Sequence, residues 1–320
     1  MNLLAIVAAL ALEQWRSFQW RASAERTFVV YARGIERRLN GGTLGQGIVA
    51  TVLAIAPPVA LAALLWWLLA RVHPALGLLF NVFVLYALMG FRRFSHAISS
   101  IIAALKAGDV AGARRALAAW RGATGAELSS QDIARLAIER GLADAYRQVF
   151  AVLFWFVVLP GPAGAVLYRA AALLAAEWKG ALPGDDMTVL TRSLQVFGRP
   201  ARLLLWLLDW VPARLTALSF AVVGDFEDAA FCWRTQARSW PEAHGGEAIG
   251  VVLASGGGAL GVQLGGSLPG FDGEPDPRPE IGVGEGAEAE VLPSAVGLVW
   301  RALVLWLLLV FLLSLANWAP

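Results

Sequence analysis

The stretch from Leu153 to Arg169 constrains the fold of this chain more than any other. It begins with the apolar run LFWFVVL, passes through Pro160, Gly161 and Pro162, and continues as a second apolar run that closes on a charge. Proline lacks a backbone N–H and clashes with the preceding helical turn, so the stretch predicts two helical pieces with a break between them. A broken backbone at membrane depth must be buried in protein or line a polar cavity. We therefore predict an interrupted membrane segment.

The composition places the rest of the chain in a membrane as well. Of its 320 residues, 58% are hydrophobic and 16% are charged, whereas soluble proteins average roughly 45–50% apolar and about 25% charged residues. The net charge of +2 is too small, and the basic residues are too mixed with acidic ones, for a nucleic-acid partner. The single cysteine, Cys232, excludes an internal disulfide and multi-cysteine metal sites. We expect an all-α polytopic protein in a lipid bilayer, and we assign no metal ligands.

The distribution of basic residues predicts the topology. The stretches Glu13 to Gly47 and Arg92 to Gln148 are both basic and are separated by two apolar crossings, which puts both on the cytoplasmic side. Helical spacing within the second stretch, with cap-like residues near Ser129, predicts a folded helical cap. We expect a multi-pass protein of the bacterial inner membrane with three parts: residues 1–91 (membrane helices and a basic loop), 92–148 (a cytoplasmic helical subdomain) and 149–320 (a membrane domain with an acidic loop at 271–290).

Three charged residues are candidates for catalysis. Asp209 and Arg214 lie within an apolar run of 21 residues, with Pro212 between them. Ionised groups at membrane depth cost several kcal/mol and usually face a partner or a cavity. The two could neutralise each other, lie at a second broken helix, or form part of a site. Glu139 lies on a predicted helix, where it belongs either to a solvated face or to a site.

Four further residues are candidates for binding a substrate or an anion. Arg92, Arg93 and His96 follow the third apolar segment, near the mouth of any cavity that the broken helices form. The alternative is that they anchor the chain at the membrane interface. His244 lies in a glycine-rich loop and has no second histidine at metal-ligand spacing.

Glycines dominate the segment from residue 248 to residue 268. Gly256, Gly258 and Gly261 satisfy the pattern G-x-G-x-x-G, but no strand pattern precedes them, which argues against a dinucleotide fold. The overlapping spacing of Gly257, Gly261 and Gly265 favours close helix packing instead.

Six stretches in a fixed order carry a family resemblance. They are AGDVAGARRAL (107–117), AIE (137–139), LFW (153–155), GPAGAVLYRA (161–170), VPARLTAL (211–218) and GALGVQLGG (258–266). In these residues the chain resembles the CobD/CbiB family of cobalamin-biosynthesis membrane proteins. The resemblance implies an adenosylcobinamide-phosphate synthase. Such an enzyme joins a corrinoid, adenosylcobyric acid, to an aminopropanol-type phosphate as an amide, with ATP and magnesium.

The chain also departs from the pattern of this family. Other residues stand at several positions where the family has acids or amides: Ala143, Arg147, Ala172, Ala175, Leu205, Trp206 and Ala248. Glu139 is retained, Asp144 and Asp209 each replace an asparagine, and His244 aligns with the histidine of an HPSPN-like motif. Each lost stabilising donor is typically worth about 3 kcal/mol of transition-state stabilisation. We therefore expect catalysis to be weakened.

The stretches LFWFVV and LDWVPARL resemble AmpE, a divergent relative linked to β-lactam induction and cell-wall sensing. We therefore interpret the chain as a regulatory or sensory membrane protein of AmpE type, with a cell-wall-derived or corrinoid ligand, and we assign it no cofactor. The first alternative is the synthase with ATP and magnesium, built on Glu139, Asp144, Asp209 and the acids at 225–228. The second is a transporter or lipid-binding protein whose broken segments form a substrate path. The sequence does not indicate an oligomeric state.

Overall fold

The residues that the computed structural model describes fold almost entirely into α-helices. They are residues 2–15, 18, 20–121, 128–179, 189–268 and 278–316, with side chains described for all of these except 91–94, 121 and 189–192. The helices are α1 (Asn2–Trp15), α2 (Arg21–Leu39), α3 (Leu44–Val72), α4 (Pro74–Leu88), α5 (Phe91–Lys106), α6 (Val110–Arg121), α7 (Ser130–Ala145), α8 (Ala151–Val158), α9 (Ala163–Glu177), α10 (Val189–Phe197), α11 (Arg199–Val223), α12 (Phe226–Gln236), α13 (Gly246–Leu260) and α14 (Leu292–Ala316). The predicted all-α class is confirmed.

Several of these helices have the length and composition of membrane spans. Among the described residues, four helical stretches are long and apolar enough to cross a membrane: Leu44–Val72, Ser130–Val158, Arg199–Val223 and Ala289–Ala316. Shorter apolar helices are Asn2–Trp15, Pro74–Leu88 and Gly246–Leu260. The prediction of a polytopic helical membrane protein is confirmed, and a lipid bilayer is its medium.

The break predicted at Pro160, Gly161 and Pro162 is present. Helix α8 ends at Val158 and α9 begins at Ala163, with Gly161 between them at a φ of +65°. The two helices pack against each other, and a β-carbon on Gly164 would lie only 1.9 Å from the carbonyl oxygen of Trp155. The chain therefore reverses direction at the Pro-Gly-Pro break, and the glycine in α9 allows its backbone to approach α8 closely.

The helix that precedes this break is longer than the sequence predicts. Its expected start is confirmed, since Ser129 and Asp132 form a reciprocal capping box. From there α7 continues through a π-helical turn, Tyr146–Phe150, into α8. The sequence does not show this continuity, because the charged residues along α7 suggest an exposed helix. In the fold, Glu139 and Asp144 are buried. The division of the chain at residues 91 and 148 stays a prediction.

Pro212 does not break its helix. Helix α11 runs without interruption from Arg199 to Val223, so the alternative of a second broken helix at Pro212 is wrong. The Thr216 hydroxyl donates a hydrogen bond of 2.7 Å to the carbonyl of Pro212. Membrane helices tolerate proline where side chains of this kind satisfy nearby backbone groups.

The chain forms two compact units. The first unit contains residues 1–89 and 151–211, and the second contains residues 90–150 and 212–320. In the first unit, ion pairs hold α2 in place: Glu25 pairs with Arg169 of α9, and Arg33 pairs with Glu177 at the end of α9. The basic stretch after α1 is thus a helix bound to α9.

Helix α13 lies at the centre of the second unit, with nearly all of its residues buried. Its glycines allow backbones to meet: a β-carbon on Gly250 would lie 2.2 Å from the carbonyl oxygen of Ala237, and one on Gly258 would lie 2.5 Å from that of Asp228. Both contacts involve α12 or the turn that follows it. Close packing through glycines is therefore present, and it joins α13 to α12.

The helix interface predicted for Gly257, Gly261 and Gly265 is wrong, because α13 ends at Leu260. Gly261 adopts a left-handed φ of +67° that terminates the helix, and the chain then enters strand β1 (Val262–Gly265). Strand β1 pairs in antiparallel register with β2 (Glu280–Gly282) and in parallel with β3 (Glu285–Gly286), in the order β2-β1-β3. This small sheet is the one departure from the helical fold among the described residues.

The close packing of α13 predicts that Gly258→Ala destabilises the second unit. The added carbon would meet the backbone of Asp228, and overpacking of this kind typically costs about 1–3 kcal/mol. The matched control is Gly297→Ala, because a β-carbon on Gly297 meets nothing within 4 Å. Cys232 on α12 can report unfolding. In the folded protein, burial and then the charge of Asp228 raise the pKa of its thiol, so labelling is slow until the unit unfolds. Thiol labelling during a thermal ramp should begin at a lower temperature for Gly258→Ala alone, and equal midpoints for the two variants would contradict the packing.

Candidate functional site

The amino terminus of α13 is an anion-binding type of helix end. A 3-10 turn, Glu242–His244, precedes it, and Gly245 and Gly246 follow with φ values of +115° and +68°. The amino-terminal cap residue is Gly245, and no side chain caps the helix by a hydrogen bond. The first amide N–H groups of a helix lack partners within it and carry a partial positive charge. Such an end favours a phosphate or a carboxylate.

Arg147 lies against this helix end. A β-carbon on Gly245 would be 3.1 Å from Nη2 of Arg147, so the guanidinium packs directly on the glycine. Within the described residues, Nε of Arg147 is buried and has no hydrogen-bond partner. The residue belongs to the π-helical turn between α7 and α8, a kind of distortion that often occurs at functional sites. Its guanidinium therefore offers a hydrogen-bond donor beside the start of α13.

Two predicted site residues lie at the same helix end. Arg214 of α11 donates a hydrogen bond of 2.8 Å from Nη2 to Oε1 of Glu247, in the first turn of α13. His244 precedes Gly245 directly, and its carbonyl oxygen accepts a hydrogen bond of 3.3 Å from Nε1 of Trp240. The structure thus brings Arg214 and His244, which the sequence singled out separately, to one place.

The charges at this site are of both signs. A β-carbon on Gly246 would lie 2.8–2.9 Å from the carboxylate oxygens of Glu242. This carboxylate therefore lies at the same helix end as the two arginines. The site therefore combines the guanidinium groups of Arg147 and Arg214 with the carboxylates of Glu242 and Glu247. Guanidinium groups suit a phosphate, while carboxylates suit an ammonium group. A ligand that carries both groups matches this arrangement better than a simple anion.

Glu139 forms a buried ion pair with Arg278. Its Oε2 lies 2.6 Å from Nη1 of Arg278, and the two side chains are only 8% and 3% exposed. Oε1 of Glu139 also accepts a hydrogen bond of 2.8 Å from the backbone N–H of Gly265 on β1. The carboxylate thus ties α7 to the small sheet. A catalytic role for Glu139 stays a prediction, and its contacts assign it a positioning role.

The Glu139–Arg278 pair also reaches the amino terminus of α13. The Arg278 guanidinium lies 5.7 Å from the ring centroid of Trp240, a cation–π distance. The ring centroid of Trp240 is in turn 6.1 Å from that of His244. A continuous series of contacts therefore connects the sheet to the helix end that Arg147 faces.

Asp209 belongs to the first unit. Its Oδ1 accepts a hydrogen bond of 2.8 Å from the Tyr168 hydroxyl of α9, and both residues are buried. Beside it, Nε1 of Trp155 donates to the carbonyl of Leu208 at 3.0 Å. Asp209 thus takes a partner from α9, whereas Arg214 takes one from α13. A catalytic role for Asp209 stays a prediction.

The remaining candidates lie on α5, which packs against α6 and α7. Arg92 and Arg93 fall in its first turn, and their side chains lie outside the described residues. His96 is exposed one turn further along. An anion-binding role for these three stays a prediction.

Sequence reasoning missed several residues that build the site. Arg147 was noticed only as a departure from the family pattern, and Trp240 was not singled out at all. Arg278 was detectable, since it is the only base in the acidic stretch that follows β1. Asp225, in the acidic cluster, caps α12 by accepting a hydrogen bond of 3.0 Å from the N–H of Asp228. Across the described part of the chain, no group of three or more His, Cys, Asp or Glu side chains is arranged to hold a metal ion.

Fold and site together define a polytopic helical membrane protein with a mixed-charge site at a helix amino terminus. The family model described as CobD/Cbib protein matches residues 6–299. The chain therefore belongs to the CobD/CbiB family, as its six sequence stretches suggested.

Three curated relatives cover between 77% and 95% of the chain. The Cobalamin biosynthesis protein CobD of Stutzerimonas stutzeri is 35% identical over 309 residues, which is 95% of either chain. The protein of the same name from Chromobacterium violaceum is 37% identical over 284 residues, 89% of this chain and 84% of the relative. The one from Rhodobacter capsulatus is 29% identical over 259 residues, 77% and 75% of the two chains. No solved structure gives a significant match.

These relatives overturn the interpretation as a regulatory or sensory protein of AmpE type. Two of them are 35% and 37% identical to this chain over most of its length, and their name refers to cobalamin biosynthesis. The interpretation was wrong because it treated the replacement of acids at family positions as a loss of the family's role.

The buried ion pair predicts that Glu139→Ala strongly destabilises the second unit. The change leaves the Arg278 charge buried without its partner, a situation that typically costs about 3–5 kcal/mol. The double variant Glu139→Leu/Arg278→Met should recover most of this loss, because it removes both charges. Arg115→Ala is the control, since the Arg115–Asp109 pair is exposed. Thermal labelling of Cys232 measures all three, and a Glu139→Ala variant as stable as the control would refute the role of the pair.

Proposed function

We propose that the chain acts in cobalamin biosynthesis at the inner membrane of a bacterium, as an adenosylcobinamide-phosphate synthase. It would join the carboxyl group of adenosylcobyric acid to an aminoalkyl phosphate as an amide. Family membership supports the pathway. The single observation that carries the reaction is the mixed-charge amino terminus of α13, because an aminoalkyl phosphate carries both a phosphate and an ammonium group.

The phosphate end of this substrate would bind at the start of α13. The N–H of Gly246 already donates to the carbonyl of Pro241. The N–H groups of the next residues in the first turn of α13, together with the guanidinium of Arg147, would donate hydrogen bonds to phosphate oxygens. Hydrogen bonds between charged groups are shorter and about twice as strong as neutral ones. Arg214, held by Glu247, would add a second positive charge.

The amine end would lie beside a carboxylate. An alkylammonium group must lose a proton before its nitrogen can attack an activated carboxyl carbon, and a carboxylate within hydrogen-bond reach can accept it. Glu242, whose carboxylate lies against Gly246, is the group that we assign to this step. The nitrogen lone pair then attacks the carboxyl carbon, and the leaving group departs with the electron pair of its bond to that carbon. The nitrogen loses its second proton to the departing group or to water, which leaves the neutral amide.

ATP and magnesium stay implied by the family resemblance. ATP would supply the activation of the corrinoid carboxyl group when bound. The described residues bring no set of three metal-ligating side chains together, and we therefore derive no step through a metal ion.

The direct test uses the purified full-length protein in detergent. Adenosylcobyric acid, an aminoalkyl phosphate, ATP and magnesium are mixed with the protein, and the amide product is followed by mass spectrometry. Formation of the amide at a rate proportional to protein concentration is the expected result. A protein that binds neither substrate and forms no amide would overturn the proposed function.

The site predicts that Arg147→Ala weakens binding of the aminoalkyl phosphate. A hydrogen bond to a charged group contributes about 1.5–3 kcal/mol, so KM for this substrate should rise about 10- to 100-fold. The same amine without its phosphate should show no such change, because Arg147 acts on the phosphate. Arg115→Ala, at an exposed position on α6, is the control. An equal change with both amines would assign Arg147 a structural role instead.

A further inference from the structure

A second polar pocket lies in the same unit, between the first turn of α7 and the small sheet. Its volume is about 230 Å³. The lining residues that matter here are Gln131, Asp132, Arg135, Gln263, Gly265 and Glu280. The proposed amide synthesis at the start of α13 uses none of these side chains.

Polar side chains around this pocket pack closely against glycines. A β-carbon on Gly286 would lie 2.2 Å from Nε2 of Gln131, and one on Gly266 would lie 2.8 Å from Nη1 of Arg135. The ends of both polar side chains therefore rest on bare backbone. Gly265 forms part of the lining, and its N–H is fixed by Glu139.

The lining offers both donors and acceptors of hydrogen bonds. Nη2 of Arg135 donates to Oδ1 of Asp132 at 2.7 Å, while Nε of the same guanidinium is buried without a partner among the described residues. The Gln263 amide donates to the Glu280 carboxylate at 2.6 Å. With Gln131, the lining contains two acids, one base and two amides. Its net charge of about −1 disfavours a phosphate or a carboxylate.

A primary carboxamide fits this lining best. It is neutral and planar, with one carbonyl acceptor and two N–H donors. Its oxygen would accept a hydrogen bond from the Gln131 amide, and its nitrogen would donate one to the Glu280 carboxylate. The volume of about 230 Å³ is below the roughly 300–1,000 Å³ of pockets that enclose whole small molecules. The pocket therefore suits a side chain of a larger ligand.

We propose that this pocket binds a primary carboxamide side chain of the large substrate. The inference rests on the proposed function, since adenosylcobyric acid is a corrinoid with several primary carboxamides at its rim. The contacts through Glu139, Arg278, Trp240 and His244 connect the pocket to the start of α13. One rigid series of contacts would thus position the rim of the corrinoid and the aminoalkyl phosphate together.

The test compares two corrinoid probes on the full-length protein. Cobinamide carries the carboxamides, whereas the heptamethyl ester of cobyrinic acid carries esters in their place. Glu280→Ala and Gln131→Leu change exposed pocket residues, and Glu288→Ala is an exposed control outside the lining. The pocket variants should weaken cobinamide binding at least tenfold and leave binding of the ester unchanged. The control should bind both probes like the wild type.

Two results would overturn the assignment. Pocket variants that bind cobinamide like the wild type, or that lose affinity for both probes equally, would exclude a carboxamide contact. If the pocket variants give either of these results and the wild type forms the amide, only the pocket assignment is wrong. If the wild type binds no corrinoid and forms no amide, the proposed function falls and the pocket assignment falls with it. An unchanged KM for the aminoalkyl phosphate in the pocket variants supports the separation of the two sites.

Discussion

The second unit depends on the buried ion pair between Glu139 and Arg278. Both side chains are buried, and a single unpaired charge in such a buried position would be very costly. The pair therefore fixes α7, strand β1 and the residues before β2 in one arrangement. Interactions between charges and dipoles strengthen in such a low-dielectric setting. Strand β1 donates its Gly265 N–H to the same carboxylate, so the pair holds the sheet against α7.

The contacts of this pair lead to two polar regions. One is the pocket that Gly265 lines, and the other is the helix end that Trp240 and His244 approach. Glycine makes both regions reachable, because Gly245 and Gly266 let guanidinium groups lie directly on backbone. The proposed reaction between a large corrinoid and a small amine would require such rigid positioning, since misplaced reactants lose much of the rate.

Much of the fold could be predicted from sequence, because its signals are local. The Pro-Gly-Pro break and the capping box at Ser129 each need only a few adjacent residues. The end of α13 could not be predicted in this way, since most of residues 248–268 are glycines or apolar residues that give no clear periodicity. The partners of Asp209 and Arg214 could not be predicted either. A charge in an apolar helix signals that a partner exists, but Tyr168 and Glu247 come from other helices that only the tertiary fold brings near.

The proposed function requires that this chain forms an amide bond on a corrinoid with the site at the start of α13. The measurement that tests it most directly is amide formation by the purified protein from adenosylcobyric acid, an aminoalkyl phosphate, ATP and magnesium, compared between the wild type and Glu242→Gln. The account predicts product from the wild type and a large loss of kcat in the variant, with little change in KM for the phosphate-bearing substrate. Product formation at equal rates by both proteins would contradict the assignment of the site.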